Sequence, residues 1–247
     1  MNSKRKPFFH PTARIAAFAC GLSIAASTSL LAAFKPLPAS TAETPGLALS
    51  GTAGLSGTIV AARDTSFQTT GDFKGTLRSL VVDTGTTYDF YYQLINTGTD
   101  LGTGADFFRM KTTAGFTGLT LSVTYATDIT SLNRGAFTNG PAGGIGAYVA
   151  GTKSTFSADR DVGSPGSVGF DFGSTQFLGD SANINPGQVS FFTVIRTNVH
   201  TFVDEPLVVS GVDTGTLLSY TAVVPEPGTS LLLALGCAAL ARRRSVR

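Results

Sequence analysis

"TYDFYYQLINTG", residues 87–98, alternates with a period of two. Tyr88, Phe90, Tyr92 and Leu94 fall on one side of an extended chain, and Asp89, Tyr91 and Gln93 on the other. That is the period of a strand in a sheet covered on one face. "QVSFFTVIRTN", residues 188–198, repeats it with Val189, Phe191, Thr193 and Ile195 on one side. Its other side also carries Phe192 and Val194, which predicts a central strand.

Outward from these two segments, short β-prone runs separated by Gly, Asn, Asp and Ser occupy 56–63, 75–83, 86–96, 107–112 and 119–127. Further runs lie at 146–150, 167–172, 188–197, 206–212 and 215–224. No window sustains an amphipathic helical period with caps, so a parallel α/β fold lacks its crossover helices. The pattern predicts an all-β fold: an antiparallel two-sheet sandwich, immunoglobulin-like or jelly-roll-like. Residues 35–58, rich in Pro, Ala, Gly, Ser and Thr, read as a loose lead-in.

The two ends read as addresses. Lys4, Arg5, Lys6 and Arg14 precede an almost uncharged run at 15–34, and "KPLPASTAE" follows. A basic flank, an apolar run and a small-residue segment make a secretory signal peptide, cut after Ala33 or after Ala42. At the other end Pro225-Glu226-Pro227-Gly228 precedes an apolar run at 229–241, then Arg242, Arg243, Arg244 and Arg247. As a helix, 13 residues span about 20 Å against a hydrocarbon core of roughly 30 Å, a short membrane segment. Pro225 and Pro227 stop any regular element before it, and the arginines hold its end on the cytoplasmic side. The organisation expected is a signal and processing region at 1–42, a linker at 43–55, a β-domain at 56–224 and a tail at 225–247.

Without the ends, residues 34–224 hold 10 Lys and Arg against 15 Asp and Glu, a net charge of −5. A mildly acidic body argues against nucleic-acid binding. Both cysteines, Cys20 and Cys237, fall in the ends, so the body folds without a disulfide.

The body is poor in chemistry. His200 is its one histidine, in "RTNVHTFVD", with no G-x-S-x-G elbow near the first half of the chain. It reads as a strand-end or loop residue. One histidine and no cysteine cannot supply the common zinc ligand sets. Glycoside hydrolysis needs two carboxylates across a cleft. Asp159 with Asp161, or Asp204 with Glu205, have the type, but solvated turns account for them better. Calcium needs several oxygen ligands. Asp159 and Asp161, or Asp100 and Asp106, would contribute, yet neither stretch follows the EF-hand order. "GTGAD" lacks the lysine of a phosphate-binding loop. Tyr91 and Tyr125, if exposed, are candidate glycan contacts, although such rings at strand spacing usually pack in the core. No catalytic residue, metal site or cofactor is expected.

The order Pro225-Glu226-Pro227, apolar helix, arginine cluster closely resembles the PEP-CTERM sorting signal of bacteria. The resemblance implies that Pro225, Glu226 and Pro227 are the recognition motif and that Arg242, Arg243, Arg244 and Arg247 form the basic stop. The implied partners are signal peptidase and exosortase, a membrane-embedded protease-transpeptidase that removes the tail. The implied route runs through the inner membrane to the envelope, cell surface or exterior. The body also resembles a β-rich domain common among such proteins, at 90–98, 107–118, 168–173 and 186–198. It departs from that pattern at 202–206, where a Phe-Thr-x-Gly-like turn is usual. Together these imply a non-catalytic exported envelope or matrix protein associated with exopolysaccharide or biofilm. The alternatives are a secreted carbohydrate-binding module and, behind it, a carboxylate-dependent hydrolase.

Overall fold

The alternating segments form the expected strands, in two sheets. The computed structural model describes residues 34–39, 41–42, 46–69, 73–99, 106–133, 148–161, 166–173, 183–211 and 213–224. The expected signal peptide and the apolar tail lie outside these residues. The described residues contain no helix, and so none long and apolar enough to cross a membrane.

The first sheet runs β4 (Thr58–Gln68), β5 (Lys74–Asp83), β6 (Tyr88–Asn96), β11 (Phe192–Arg196), β8 (Leu121–Ala126). On the free edge of β8 lie two short strands, β1 (Lys35–Leu37) and β3 (Gly51–Thr52). The second sheet runs β13 (Thr214–Ala222), β12 (Phe202–Gly211), β7 (Phe107–Thr112), β10 (Val168–Asp171), β9 (Ser157–Arg160), β2 (Leu47–Ala48). Strand pairings are antiparallel throughout, except that β3 lies parallel to β8.

One apolar cluster joins the sheets. Leu77, Val81, Phe90, Tyr92, Leu94, Val123 and Ile195 come from the first sheet, and Met110, Phe170, Leu207, Val209 and Leu217 from the second. Burying each large side chain contributes about 1.5–3 kcal/mol, so this cluster is the main stabilising feature. Strand β11 sits between β6 and β8, the central place that its two apolar sides predict.

The expectation that β6 has one solvated side fails. Asp89, Tyr91 and Gln93 are as buried as Phe90 and Tyr92. Tyr91 joins a second cluster with Leu80, Val82, Phe192 and Val194, covered by Leu55, Ile129 and Leu132 from connecting segments. The polar members survive burial because they are bonded. Asp89 accepts from Arg196 Nε at 2.9 Å and Nη2 at 2.7 Å. Gln93 Nε2 donates to the carbonyls of Val149 and Ser190. Burial nevertheless raises the Asp89 carboxyl above its ordinary range, against the pull of Arg196.

Three other departures have physical causes. The 35–58 lead-in supplies β1, β2 and β3, and Leu37 and Leu55 are buried. Its strands satisfy sheet edges that would otherwise expose unpaired backbone groups. Tyr148–Ala150, in the run expected at 146–150, form no strand, and Val149 O is bonded instead by the Gln93 side chain. Ser157–Arg160, a polar run that reads as a turn, is a strand between β10 and β2.

Strand β12 begins at Phe202 and passes through Pro206, at the place where the body departs from the family pattern. Thr113 N donates to Pro206 O at 3.2 Å, just past the end of β7. A residue's N and O point to the same side of an antiparallel strand, so the donorless proline nitrogen also faces Thr113, and the β7–β12 ladder stops there.

Candidate functional site: the exit toward the tail

Strand β13 leads to the tail, and its pairing with β12 runs unbroken from Ser210↔Thr214 to Phe202↔Ala222. Val223 N then donates to Thr201 O at 3.3 Å, and Thr201 Oγ1 donates back to Val223 O. This reciprocal pair fastens the chain one residue beyond the strand. Val224 is 42% exposed, and Pro225 follows it.

The exit rests on aromatic packing. Tyr220 meets Phe202 edge-on at 5.5 Å, Phe202 meets Tyr88 at 6.0 Å, and Tyr88 stacks on His200 at 4.9 Å. Tyr92, buried with its hydroxyl pushed well above the ordinary tyrosine range by desolvation, donates to Tyr220 O. The β7–β8 connection closes beneath the exit at Gly115, whose φ is +101°. A Cβ there would overlap Thr221 Oγ1, so only glycine lets that turn approach the strand.

The strand registers give the two ends of the sheets different contents. At the end holding Val223, β5, β9 and β11 finish and β6, β10 and β12 start. The opposite end, where Gly75 packs against Phe107 and Gly215 against Phe67, takes the long connections after β6, β8 and β10.

Of the carboxylates weighed for hydrolysis or calcium, Asp159, Asp161 and Asp204 are held by cations. Asp159, on the outer side of β9, accepts two bonds from Arg109 Nη2 at 3.0 and 2.8 Å. Arg109 Nη1 donates to Asp171 at 2.6 Å, and Lys111 Nζ to Asp161 at 2.9 Å. Arg109 spans from β7 to β9 across Gly169 of β10, where a Cβ would collide with both the guanidinium and the Asp159 carboxylate. Asp204 takes Arg63 Nη2 at 2.9 Å, and Glu205 beside it is half-buried. These are charge ladders on sheet faces, not acids aimed across a cleft. Among the described residues, no three His, Cys, Asp or Glu side chains are grouped to hold a metal ion. Asp106 is buried, and Asp100 lies outside the described residues.

His200 lies in the β11–β12 connection, as its sequence context predicts. Tyr91 is fully enclosed and offers no face to a sugar, which corrects its candidacy. Tyr125 is half-exposed and stacks on Phe191 at 5.7 Å and 12°. Pro225, Glu226, Pro227, Arg242, Arg243, Arg244 and Arg247 lie outside the described residues. The Thr201–Val223 clamp and the Arg109–Gly169–Asp159 crossing were not anticipated. Each joins residues 22 or more positions apart and leaves no local signature.

Residues 223–245 match the model of the PEP-CTERM protein-sorting motif. No curated protein and no solved structure matches the chain. The sequence thus carries, directly after β13, the PEP-CTERM protein-sorting motif, the address of exported cell-envelope proteins processed by exosortase.

Proposed function

We propose that the mature body, bounded near 56–224 with the 34–55 lead-in wrapped onto it, is a β-sandwich of immunoglobulin-like or jelly-roll-like kind. It serves in the envelope or extracellular matrix beside exopolysaccharide. The observation that carries the reading is the join between fold and motif. Strand β13 ends at Ala222, Val223 is clamped by Thr201, and the motif begins at once. The clamp therefore ends two residues before Pro225 of the Pro225-Glu226-Pro227 stretch. The prolines keep that stretch extended and deny it helical hydrogen bonds, which suits a protease site.

In this reading the 229–241 helix holds the precursor in the inner membrane, and Arg242, Arg243, Arg244 and Arg247 resist passage across it. Signal peptidase opens the route and exosortase closes it. Before the cut, the end of the sheets where β13 finishes faces the membrane, and the end where β6, β8 and β10 finish faces outward.

Replacing Pro225, Glu226 and Pro227 with alanine tests this function. The variant is expected to remain full-length at its C-terminus and membrane-retained. Normal release would overturn the exosortase reading.

One observation favours a second role in carbohydrate binding: the half-exposed Tyr125–Phe191 pair, its rings nearly parallel. Aromatic faces of this kind stack on sugars. Retention of the mature protein on a host polysaccharide column, lost in Tyr125→Ala with the fold intact, would support it. Equal retention of both would remove it.

A further inference from the structure

We infer that signal peptidase cuts this chain between Ala33 and Phe34, and that the Ser40-Thr41-Ala42 site is bypassed. This rests on the export reading above and specifies its first step. Water adds across the Ala33–Phe34 peptide bond, leaving a carboxylate on Ala33 and an α-amino group on Phe34.

From residue types alone, the downstream site is the better one. Ser40 and Ala42 give the small-x-small spacing such cuts favour, whereas the upstream site has Leu31 in the corresponding place. What Phe34 to Thr41 do in the fold reverses that preference. Lys35, Pro36 and Leu37 pair in register with Val123, Ser122 and Leu121 on β8. Leu37 is 2% exposed and belongs to the cluster between the sheets.

Phe34, Lys35 and Thr41 are also engaged. The Phe34 ring lies under the Arg196 guanidinium at 3.9 Å, and Arg196 in turn holds the buried Asp89. Lys35 Nζ donates to Ala48 O at 2.7 Å. Thr41 N turns back to Pro38 O, and Thr41 O accepts from Arg160 N at 2.9 Å on the edge of the other sheet.

The stretch thus crosses from one sheet edge to the other, sealing β8 and reaching β9. A cut after Ala42 would discard all of this and leave three residues of β8 without an edge partner. Backbone donors and acceptors exposed in that way template pairing with other chains. A segment destined for removal before folding has no use for a core leucine and two-sheet complementarity. Ala33 also stands at the end of the apolar run, with a small side chain at the bond to be cut.

N-terminal sequencing of the exported protein from its host tests the inference. A first residue of Phe34 is expected, and a product starting at Glu43, or anywhere beyond Phe34, would overturn it. A product still starting at Met1 would contradict export through a cleaved signal, a different failure. Two precursor variants add an independent arm. Ala33→Leu should abolish the Phe34 N-terminus, leaving the precursor uncut or diverted to Ser40-Thr41-Ala42, while Ala42→Leu should be processed as wild type. The reverse pattern would place the cut at Ala42.

Discussion

Leu37→Ala should lower the stability of the exported protein by about 2–3 kcal/mol. Leu37 is 2% exposed and packs among residues of both sheets. Truncating a buried leucine costs roughly 2–5 kcal/mol, partly for lost transfer and partly for the cavity left behind. The lower half of that range applies because β1 has only three residues at a sheet edge and can detach before the rest unfolds. For a domain of 150–250 residues, each kcal/mol moves the melting temperature by about 2–4 °C, so a fall of roughly 4–12 °C is expected. Thermal unfolding followed by far-UV circular dichroism reads it, with urea unfolding as a second measure. Leu218→Ala is the control. That side chain is 43% exposed on β13, and its removal should stay within about 0.5 kcal/mol. If Leu37→Ala melts within a degree of wild type, the lead-in is not part of the core, and the inferred cut before Phe34 loses its basis.

Gly169→Ala should cost about 1–3 kcal/mol by urea unfolding, because the new Cβ overlaps the ends of Arg109 and Asp159 and forces a buried ion pair to shift; an unchanged unfolding midpoint would mean the crossing is dispensable. Tyr91→Phe should be neutral or stabilising, since the Tyr91 hydroxyl is buried without a hydrogen-bond partner. Tyr92→Phe, which removes a bond to Tyr220 O, should cost about 1 kcal/mol, and the opposite ranking would refute both assignments. Asp89 has its folded pKa raised from 3.8 by burial, so its favourable contribution is complete below that value and is lost as pH rises through the raised one. Measured against the non-titrating Asp89→Asn, wild type should therefore lose stability as pH climbs from about 4 and then level off. A flat difference, or a gain, would show that Arg196 outweighs desolvation.

Much of the strand content was legible because it is written locally. Residues 74–83, 88–96 and 192–196 carry β-branched and aromatic side chains at a period of two, and they form the middle of the first sheet. What covers them was not legible. Asp89, Tyr91 and Gln93 look like a wet face until Leu55, Ile129 and Leu132 are brought over it from distant loops. The lead-in misled for a related reason. Pro, Ala, Gly and Ser suit a linker, and they equally suit two- and three-residue edge strands whose partners lie far along the chain. Ser157–Arg160 reads as a turn because its charges look solvated, whereas Arg109, from another strand, neutralises Asp159. The sorting motif at 223–245, by contrast, was legible, since it is written in consecutive residues.

The most direct test of the account is the intact mass of the extracellular protein isolated from its native host. Loss of the tail is predicted, with a C-terminus near 225–228 and Cys237 absent, so the product carries no thiol. A group attached at the new C-terminus is compatible with a transpeptidase. A mass that still includes Arg247 on protein outside the cell would contradict exosortase processing and leave the chain a tail-anchored envelope protein.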